Sequence, residues 1–157
     1  MEKITHIVFD HDGTLVNTNI APRVLYPGIK DLLGKLAQTD VKLFVWTARK
    51  RFSVVEILNS LAIMEYFEEL STPDDAQTKP DTEGLEEMLA GIDPKNITVI
   101  GDSFADMLGG KKFGALCIGA NWAANGSIKS QQMLEKYGAD VCINSVEKLE
   151  SFLFERI

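Results

Sequence analysis

The sequence is poor in cysteine and histidine and has no long apolar run, and each shortage excludes a class of protein. It contains only two cysteines, Cys117 and Cys142, too few for a disulfide framework or a thiolate metal site. Each lies in a short apolar stretch, so we expect both to be small buried side chains. No stretch is long and apolar enough to span a membrane, and no signal-peptide pattern precedes the first strand. We therefore expect a cytoplasmic protein with no membrane partner.

Positive charge is also scarce. The net charge of -7 argues against general nucleic-acid binding. With 157 residues, of which 45% are hydrophobic and 25% charged, the chain has the length and composition of one ordinary globular domain with a sizeable core.

Two aspartates stand where a buried strand is expected to end. Residues 4–9 are mostly apolar and rich in β-branched side chains, and residues 10–14 follow as Asp-His-Asp-Gly-Thr. Side chains at alternate positions of a strand point the same way, so Asp10 and Asp12 are expected side by side. A pair of anions there is costly without a cation, and a divalent ion with oxygen ligands fits. The simpler alternative is a turn at Asp12-Gly13 capped by Asp10.

The rest of the chain alternates strand and helix patterns. A Ser53-x-x-Glu56 capping box, with Phe52 and Ile57 as its hydrophobic staple, predicts a helix start at residue 53, and Pro80 suits the first turn of another helix. The predicted strands cover 4–9, 41–46, 68–70, 97–100, 115–118 and 141–143, and the predicted helices cover 29–36, 53–63, 80–90, a segment after 106, 128–137 and 146–154.

This alternation predicts an α/β fold, a Rossmann-like three-layer sandwich with a central, mostly parallel sheet. Right-handed crossovers bring all the loops after the strands to one edge of the sheet, where such folds bind ligands. The side chains expected at that edge are those of Asp10, Asp12, Thr47, Lys79, Asp102 and Asp106.

That set of side chains suits the binding of Mg²⁺ and a phosphoryl group. A carboxylate nucleophile splits a difficult displacement into two easier ones through an aspartyl-phosphate. Thr47 offers a hydroxyl to the phosphate, Lys79 offers a positive charge, and the turn amides around Asp12, Gly13 and Ala48 offer N–H donors. One leading aspartate must be the nucleophile and the other a general acid and base, but spacing does not say which.

Four segments, in this order, resemble the motifs of the haloacid dehalogenase superfamily: residues 10–14, Thr47 at a strand end, Lys79-Pro80, and residues 101–106. The resemblance spans nearly the whole chain. It implies that Asp10 is the nucleophile and Asp12 the general acid and base. The dehalogenases themselves lack the second aspartate of the first motif, so Asp12 indicates hydrolysis of phosphate esters.

The resemblance also implies the remaining roles. Thr47 and Lys79 would bind the phosphate, joined by the turn amides of Ala48 and Gly13 named above, while Asp106 would support the metal shell or orient Lys79. The metal ligands would be Asp10, Asp102 and Asp106, with Asp12 adding its main-chain carbonyl.

Residues 26–29 and 139–149 further resemble the phosphoglycolate-phosphatase-like branch of that superfamily. That branch carries a helical cap after the first motif, whereas a short loop at 15–27 occupies the place here. The other cap position, between residues 47 and 79, has room for only one helix and one short strand. We therefore expect a single capless domain over residues 1–157, which argues against phosphoglycolate itself as the substrate.

Something must replace the missing cap, since a cap excludes water and contacts substrate. The options are a large substrate such as a macromolecule with an exposed phosphate, a second copy of the chain in a homo-oligomer, or loops that suffice for a phosphorylated small molecule. Arg49, which precedes a helix where cations are disfavoured, is the best loop candidate for a substrate contact. The alternative is a solvated charge run. Trp122 could stack on substrate or anchor its loop, and His11 is expected to pack beneath the site.

Three other functions use similar residues. A phospho-accepting signalling domain would carry its acidic pair first, its phosphorylated aspartate on a later strand, then Thr and Lys, an order that this chain does not follow. A non-catalytic binding protein of the same fold has no need of the filled catalytic positions. A phosphomutase must protect its intermediate from water, which an open site does poorly.

Overall fold

A six-stranded parallel sheet forms the centre of the computed structural model, which describes residues 2–157. Its strands are β1 (His6–Phe9), β4 (Lys42–Trp46), β5 (Glu69–Ser71), β6 (Ile97–Gly101), β7 (Leu116–Ala120) and β8 (Val141–Ile143), and a separate hairpin contains β2 (Val16–Asn17) and β3 (Val24–Leu25). The helices are α1 (Ile29–Leu36), α2 (Arg51–Ser60), α3 (Glu83–Met88), α4 (Phe104–Phe113), α5 (Ile128–Tyr137) and α6 (Val146–Phe154), with 3₁₀ turns at Met64–Tyr66 and Pro94–Asn96.

The strand order β5-β4-β1-β6-β7-β8 places β1 in the middle. Every neighbouring pair is parallel, and Phe9 at the end of β1 is level with Val45 on β4 and Ile100 on β6. The residues that follow these three strands therefore meet at one edge of the sheet. The predicted α/β architecture is confirmed.

Apolar side chains cover both faces of the sheet. On one face, the core joins β1 residues Ile7 and Phe9 to helices α1, α2 and α6. On the other, Val8 and Trp46 pack against α3, and a small cluster links α4 to α5. Ile7, Val8 and Phe9 enter opposite cores in alternation, so these three residues of β1 are all apolar and the strand is fixed from both sides.

Helix α2 begins earlier than the capping-box pattern predicts. Its first residue is Arg51 and the N-cap is Lys50, with no side-chain cap. The Ser53 hydroxyl instead accepts a hydrogen bond from Arg49 at 2.9 Å, and Asp74 accepts one from the Arg51 backbone N–H at 2.8 Å. Phe52 is 81% exposed, so it makes no staple. The predicted start at residue 53 was wrong because a distant loop satisfies the helix terminus.

Smaller differences affect two neighbouring elements and the cysteines. Helix α3 begins at Glu83 rather than at Pro80, since the Asp81 carboxylate accepts a hydrogen bond from the Glu83 backbone N–H at 2.9 Å. Strand β5 lies one residue later than predicted. Both cysteines are free thiols, Cys117 buried and Cys142 partly exposed.

The segment predicted as a loop, 15–27, contains the hairpin. Val16 pairs with Leu25 and Asn17 with Val24 in a two-stranded antiparallel sheet. Its connection, residues 18–23, is exposed or half-buried. Within residues 2–157, no helix is both long and apolar enough to cross a membrane.

Trp122 ties the loop after β7 to the loop after β1. The residue is 9% exposed, and its indole N–H donates to the Thr14 carbonyl at 3.0 Å. Of its two predicted roles, the structure supports the loop anchor. The contact holds the backbone that follows Asp12 against the body of the domain.

Replacing Trp122 by Phe should lower the free energy of unfolding by about 1–2 kcal/mol, because the buried Thr14 carbonyl loses its donor. Urea denaturation followed by circular dichroism measures this change. Phe52→Leu, at an exposed aromatic position, is the control and should change stability little. Equal midpoints for Trp122→Phe and the parent protein would show that the anchor contributes nothing.

Candidate active site

A cavity of about 410 Å³ opens at the carboxyl edge of the sheet, where β1, β4 and β6 end. Nearly all the side chains that the sequence predicts at this edge line the cavity. The lining residues are Asp10, Asp12, Thr47, Ala48, Arg49, Lys79, Asp102, Ser103 and Ala105.

Lys79 lies at the base of this cavity with 9% of its surface exposed. Its ammonium donates to Asp10 at 2.8 Å, to Asp106 at 2.5 Å and to the Trp46 carbonyl at 2.9 Å. All three N–H donors of the ammonium are thus used. Burial alone would lower the pKa of Lys79, but Asp10 and Asp106 hold it above the ordinary value, so the ammonium stays charged.

Asp10 is enclosed by hydrogen-bond donors. Besides Lys79, the Thr14 hydroxyl donates to its second oxygen at 3.2 Å. Burial raises the pKa of Asp10 to about 7, with Lys79 opposing the rise and Asp102 adding to it. A buried carboxylate at this edge therefore needs more positive charge than Lys79 alone supplies.

Asp10, Asp102 and Asp106 form a compact acidic cluster, each offering an oxygen within 4.8 Å of the others. Burial also raises the pKa of Asp102, and Asp106 contributes to that rise. Three converging carboxylates with raised pKa values create a local need for positive charge, which a hard divalent cation with oxygen ligands meets.

Gly13 allows the loop to pass this cluster closely. Its φ is +81°, and a Cβ there would lie 2.0 Å from a carboxylate oxygen of Asp102. Its N–H donates to the Val16 carbonyl at 3.0 Å. The structure therefore does not support Gly13 as a phosphate donor, because the turn itself uses that N–H.

Asp106 belongs to a capping box that the sequence reading missed. Ser103 caps α4, and the Asp106 carboxylate accepts hydrogen bonds from the Ser103 N–H at 3.1 Å and its hydroxyl at 2.8 Å. The Ser-x-x-Asp spacing at 103–106 was the available signal. One Asp106 oxygen thus fixes the helix terminus while the other holds Lys79.

Asp12 has different surroundings. Arg49 binds it through two nitrogens, at 2.9 Å and 2.5 Å, and the Thr18 hydroxyl donates to it at 3.0 Å. Partial burial acts to raise its pKa, but hydrogen bonds from Arg49 and His11 outweigh that effect and hold the pKa well below its usual range. Its side chain is 39% exposed, so it stands at the rim of the cavity.

His11 packs beneath the site, as expected. The ring is fully buried, and its Nδ1 lies 2.7 Å from an Asp12 oxygen. Among the described residues, its Nε2 has no hydrogen-bond partner. The ring therefore supports Asp12 from below.

Two predicted phosphate donors remain available. The Thr47 oxygen accepts from the Arg49 N–H at 3.0 Å, which leaves the hydroxyl proton free to donate into the cavity. Ala48 lines the cavity, and within residues 2–157 its N–H has no recorded partner. Arg51 lies apart from these groups and binds Asp75 at 2.7 Å.

Comparison with known proteins identifies relatives that are hydrolases. Residues 23–120 match the model of a family described as haloacid dehalogenase-like hydrolase. A probable phosphoglycolate phosphatase of Pseudomonas putida is 32% identical over 105 residues, which are 65% of this chain and 42% of that protein. Pyrophosphatase PpaX of Bacillus pumilus is 30% identical over 127 residues, 79% of this chain and 57% of that protein. The chain thus spans about half the length of these curated relatives.

Solved structures share the fold. A putative β-phosphoglucomutase from Thermotoga maritima superposes with a TM-score of 0.85 at 17% identity, covering 100% of both chains. A HAD-superfamily hydrolase from Ehrlichia chaffeensis gives 0.81 at 16% identity, covering 99% of this chain and 98% of that one.

The raised pKa of Asp10 predicts that the metal-free protein loses stability as the pH rises. Between its ordinary value of 3.8 and about 7, the folded protein keeps a proton that the unfolded chain has released. The free energy of unfolding should therefore fall across this interval. Urea titrations in EDTA at pH 5 and pH 8 measure the fall, which should be smaller in Asp10→Asn.

Asp31→Asn, on the exposed side of α1, is the control and should keep the parent's pH dependence. The same fall in Asp10→Asn as in the parent would contradict the assignment of this proton to Asp10.

Replacing Asp106 by Asn should destabilise the protein by about 3–5 kcal/mol, because the buried Lys79 loses one of its two anionic partners. The same denaturation assay, with Asp31→Asn as the surface control, measures the cost. A loss as small as that of the control would show that the ion pair between Asp106 and Lys79 does not stabilise the fold.

Proposed function

Because the chain belongs to the haloacid dehalogenase-like hydrolase family, we propose that it is a Mg²⁺-dependent phosphomonoesterase that works through an aspartyl-phosphate on Asp10. The observation that carries this proposal is the separation of the two leading aspartates. Asp10 lies with Lys79 in the acidic cluster, whereas Asp12 lies at the rim under Arg49. A nucleophile and a general acid need different environments of this kind.

Asp10 attacks the phosphorus of the ester, and the bond between phosphorus and the leaving oxygen breaks. Asp12 gives its proton to that oxygen, so the product departs as an alcohol. Asp12 then takes a proton from water, whose oxygen attacks the phosphoryl group. Inorganic phosphate leaves, and Asp10 is regenerated.

Asp10 and Asp102 would hold the metal, with the Asp12 main-chain carbonyl as a further ligand. When bound, Mg²⁺ supplies the positive charge that offsets the carboxylates and the phosphate. A HAD-hydrolase structure from Bacillus subtilis, YfnB, is described as bound to magnesium. Asp106 uses both oxygens on Lys79 and Ser103, which supports the role of orienting Lys79 over direct ligation.

Lys79, Thr47 and Ala48 bind the phosphate in this proposal. Lys79 supplies a charge, Thr47 a hydroxyl and Ala48 a backbone N–H, so the loop after β4 and the loop before α3 both contribute. These donors face the cavity where Asp10 is exposed to substrate.

Arg49 is the proposed substrate contact. Without substrate its guanidinium neutralises Asp12 and keeps the pKa of that carboxyl low, a state in which Asp12 holds no proton to give. A substrate phosphate is a competing bidentate partner for the guanidinium. Transfer of Arg49 to the phosphate removes this effect on Asp12 and allows the carboxyl to carry a proton.

The substrate class is a phosphorylated small molecule. The relatives' names, phosphoglycolate phosphatase and pyrophosphatase, are those of enzymes that act on small phosphorylated compounds. We propose a single domain with the hairpin of residues 15–27 in place of a cap. The cytoplasmic location and any homo-oligomer stay predictions.

Release of inorganic phosphate from a panel of phosphomonoesters tests the proposal. Turnover should require Mg²⁺, stop with EDTA, and fall by at least about a thousandfold in Asp10→Asn. Asp31→Asn should keep the parent rate. Undiminished turnover in Asp10→Asn would overturn the nucleophile assignment.

Replacing Arg49 by Ala should raise KM for phosphate esters by about tenfold, since a bidentate charged contact is lost. Arg49→Lys should recover only part of the loss, because an ammonium cannot replace the planar fork. Lys50→Ala, exposed at the next position, is the matched control. An equal rise in KM for Lys50→Ala would show that Arg49 acts through general surface charge and not through a direct contact with substrate.

A further inference from the structure

A second cavity, of about 450 Å³, lies between the β2-β3 hairpin and the loops that follow β7 and β8. None of the side chains that line it carries a formal charge, although a quarter of the whole sequence is charged. The polar and aromatic side chains that define it, which we call the amide pocket, are Asn17, Asn19, Tyr26, Trp122, Asn125 and Asn144.

Internal hydrogen bonds orient two of these amides. The Asn144 oxygen accepts from the side chain of Asn121, a fully buried residue, at 3.2 Å. The Asn17 oxygen accepts from the Asn19 backbone N–H at 3.1 Å. With both oxygens occupied, the NH₂ groups of Asn17 and Asn144 remain as donors with no recorded partner in residues 2–157.

The side-chain amides of Asn19 and Asn125 can both donate and accept. Within the described chain neither side chain makes a hydrogen bond, so each offers its NH₂ group as a donor and its oxygen as an acceptor. A hydroxyl group also donates and accepts, and matches such a mixture. A carboxylate or second phosphate only accepts, and it would enter a pocket that has no cation.

The walls between these amides are apolar. The aromatic residues Tyr26 and Trp122 and the aliphatic residues Pro27 and Val146 also line the pocket, with Trp122 held in place by its bond to the Thr14 carbonyl. Sugar rings and similar polyols combine C–H faces with hydroxyl edges, so one such ligand satisfies both kinds of lining group.

The amide pocket adjoins the candidate active site. Thr18, between Asn17 and Asn19, donates to the Asp12 carboxylate at 3.0 Å, while its two neighbours line the pocket. Tyr26 lines the pocket as well, and its pKa is raised by burial and by the nearby carboxylates of Asp102 and Asp12. Through Thr18, the hairpin thus connects the amide pocket to Asp12 at the rim of the active-site cavity.

We propose that the amide pocket seats the alcohol part of the substrate, and that this part is a neutral polyhydroxylated group such as a sugar. This inference rests on the proposed phosphatase function, since the phosphate of the same ester lies against Asp10. It goes beyond that function in naming the chemistry of the alcohol part and the residues that select it.

The test compares hexose and pentose monophosphates with phosphoglycolate and with p-nitrophenyl phosphate, which has no polyol. Asn17→Ala and Asn144→Ala alter the pocket from two separate elements, the β2-β3 hairpin and the loop after β8. Each should lower kcat/KM for the best sugar phosphate, relative to p-nitrophenyl phosphate, by about fivefold through KM, as expected for one lost hydrogen bond. Asn59→Ala, exposed on α2, is the matched control and should keep the parent ratio.

Two outcomes overturn the inference while the phosphatase function stands. One is Asp10-dependent turnover with ratios that neither pocket variant changes. The other is phosphoglycolate as the preferred ester with its KM raised by the same variants, which would make the occupant a carboxylate.

A parent protein that hydrolyses no ester would overturn the proposed function instead. Saturation-transfer NMR with free hexoses and pentoses then decides the pocket on its own. Binding that Asn144→Ala weakens would support a polyol site, and no binding to the parent would overturn it.

Discussion

The buried ammonium of Lys79 is the interaction on which the candidate active site depends. Lys79 belongs to the loop before α3, but three other elements hold its ammonium. The acceptors are Asp10 after β1, the Trp46 carbonyl at the end of β4, and Asp106 in the first turn of α4. A cation with three acceptors stays charged in an apolar setting, whereas each of those carboxylates alone would be costly to bury. The strand ends, the helix cap and the cluster therefore form one electrostatic unit.

Asp10 and Asp12 are only two positions apart, yet they lie in different electrostatic environments. Asp10 points into the unit around Lys79, where burial raises its pKa to about 7 and creates a demand for a cation. Asp12 points to the rim, where the hydrogen bonds from Arg49 hold its pKa well below the ordinary value. In the proposed mechanism, the same residue type therefore serves nucleophilic attack at one position and proton transfer at the other. The hairpin after Asp12 extends this arrangement toward the amide pocket.

Sequence patterns predicted what depends on local periodicity and strand ends. The alternation of elements gave the parallel sheet, and the positions after β1, β4 and β6 gave Asp10, Asp12, Thr47 and Asp102 at one edge. Local sequence patterns do not predict contacts between distant loops. Asp74 set the start of α2, and the Val16 carbonyl took the Gly13 N–H. The bidentate pairing of Arg49 with Asp12 joins residues 37 positions apart, so only the folded geometry reveals it.

The stereochemistry of transfer tests the central claim most directly. A phosphate ester made chiral at phosphorus with oxygen isotopes and sulfur is hydrolysed in labelled water, and the configuration of the released thiophosphate is determined. Two successive in-line displacements, first by Asp10 and then by water, predict retention of configuration. Inversion would mean that water attacks the ester directly, and would contradict an aspartyl-phosphate on Asp10.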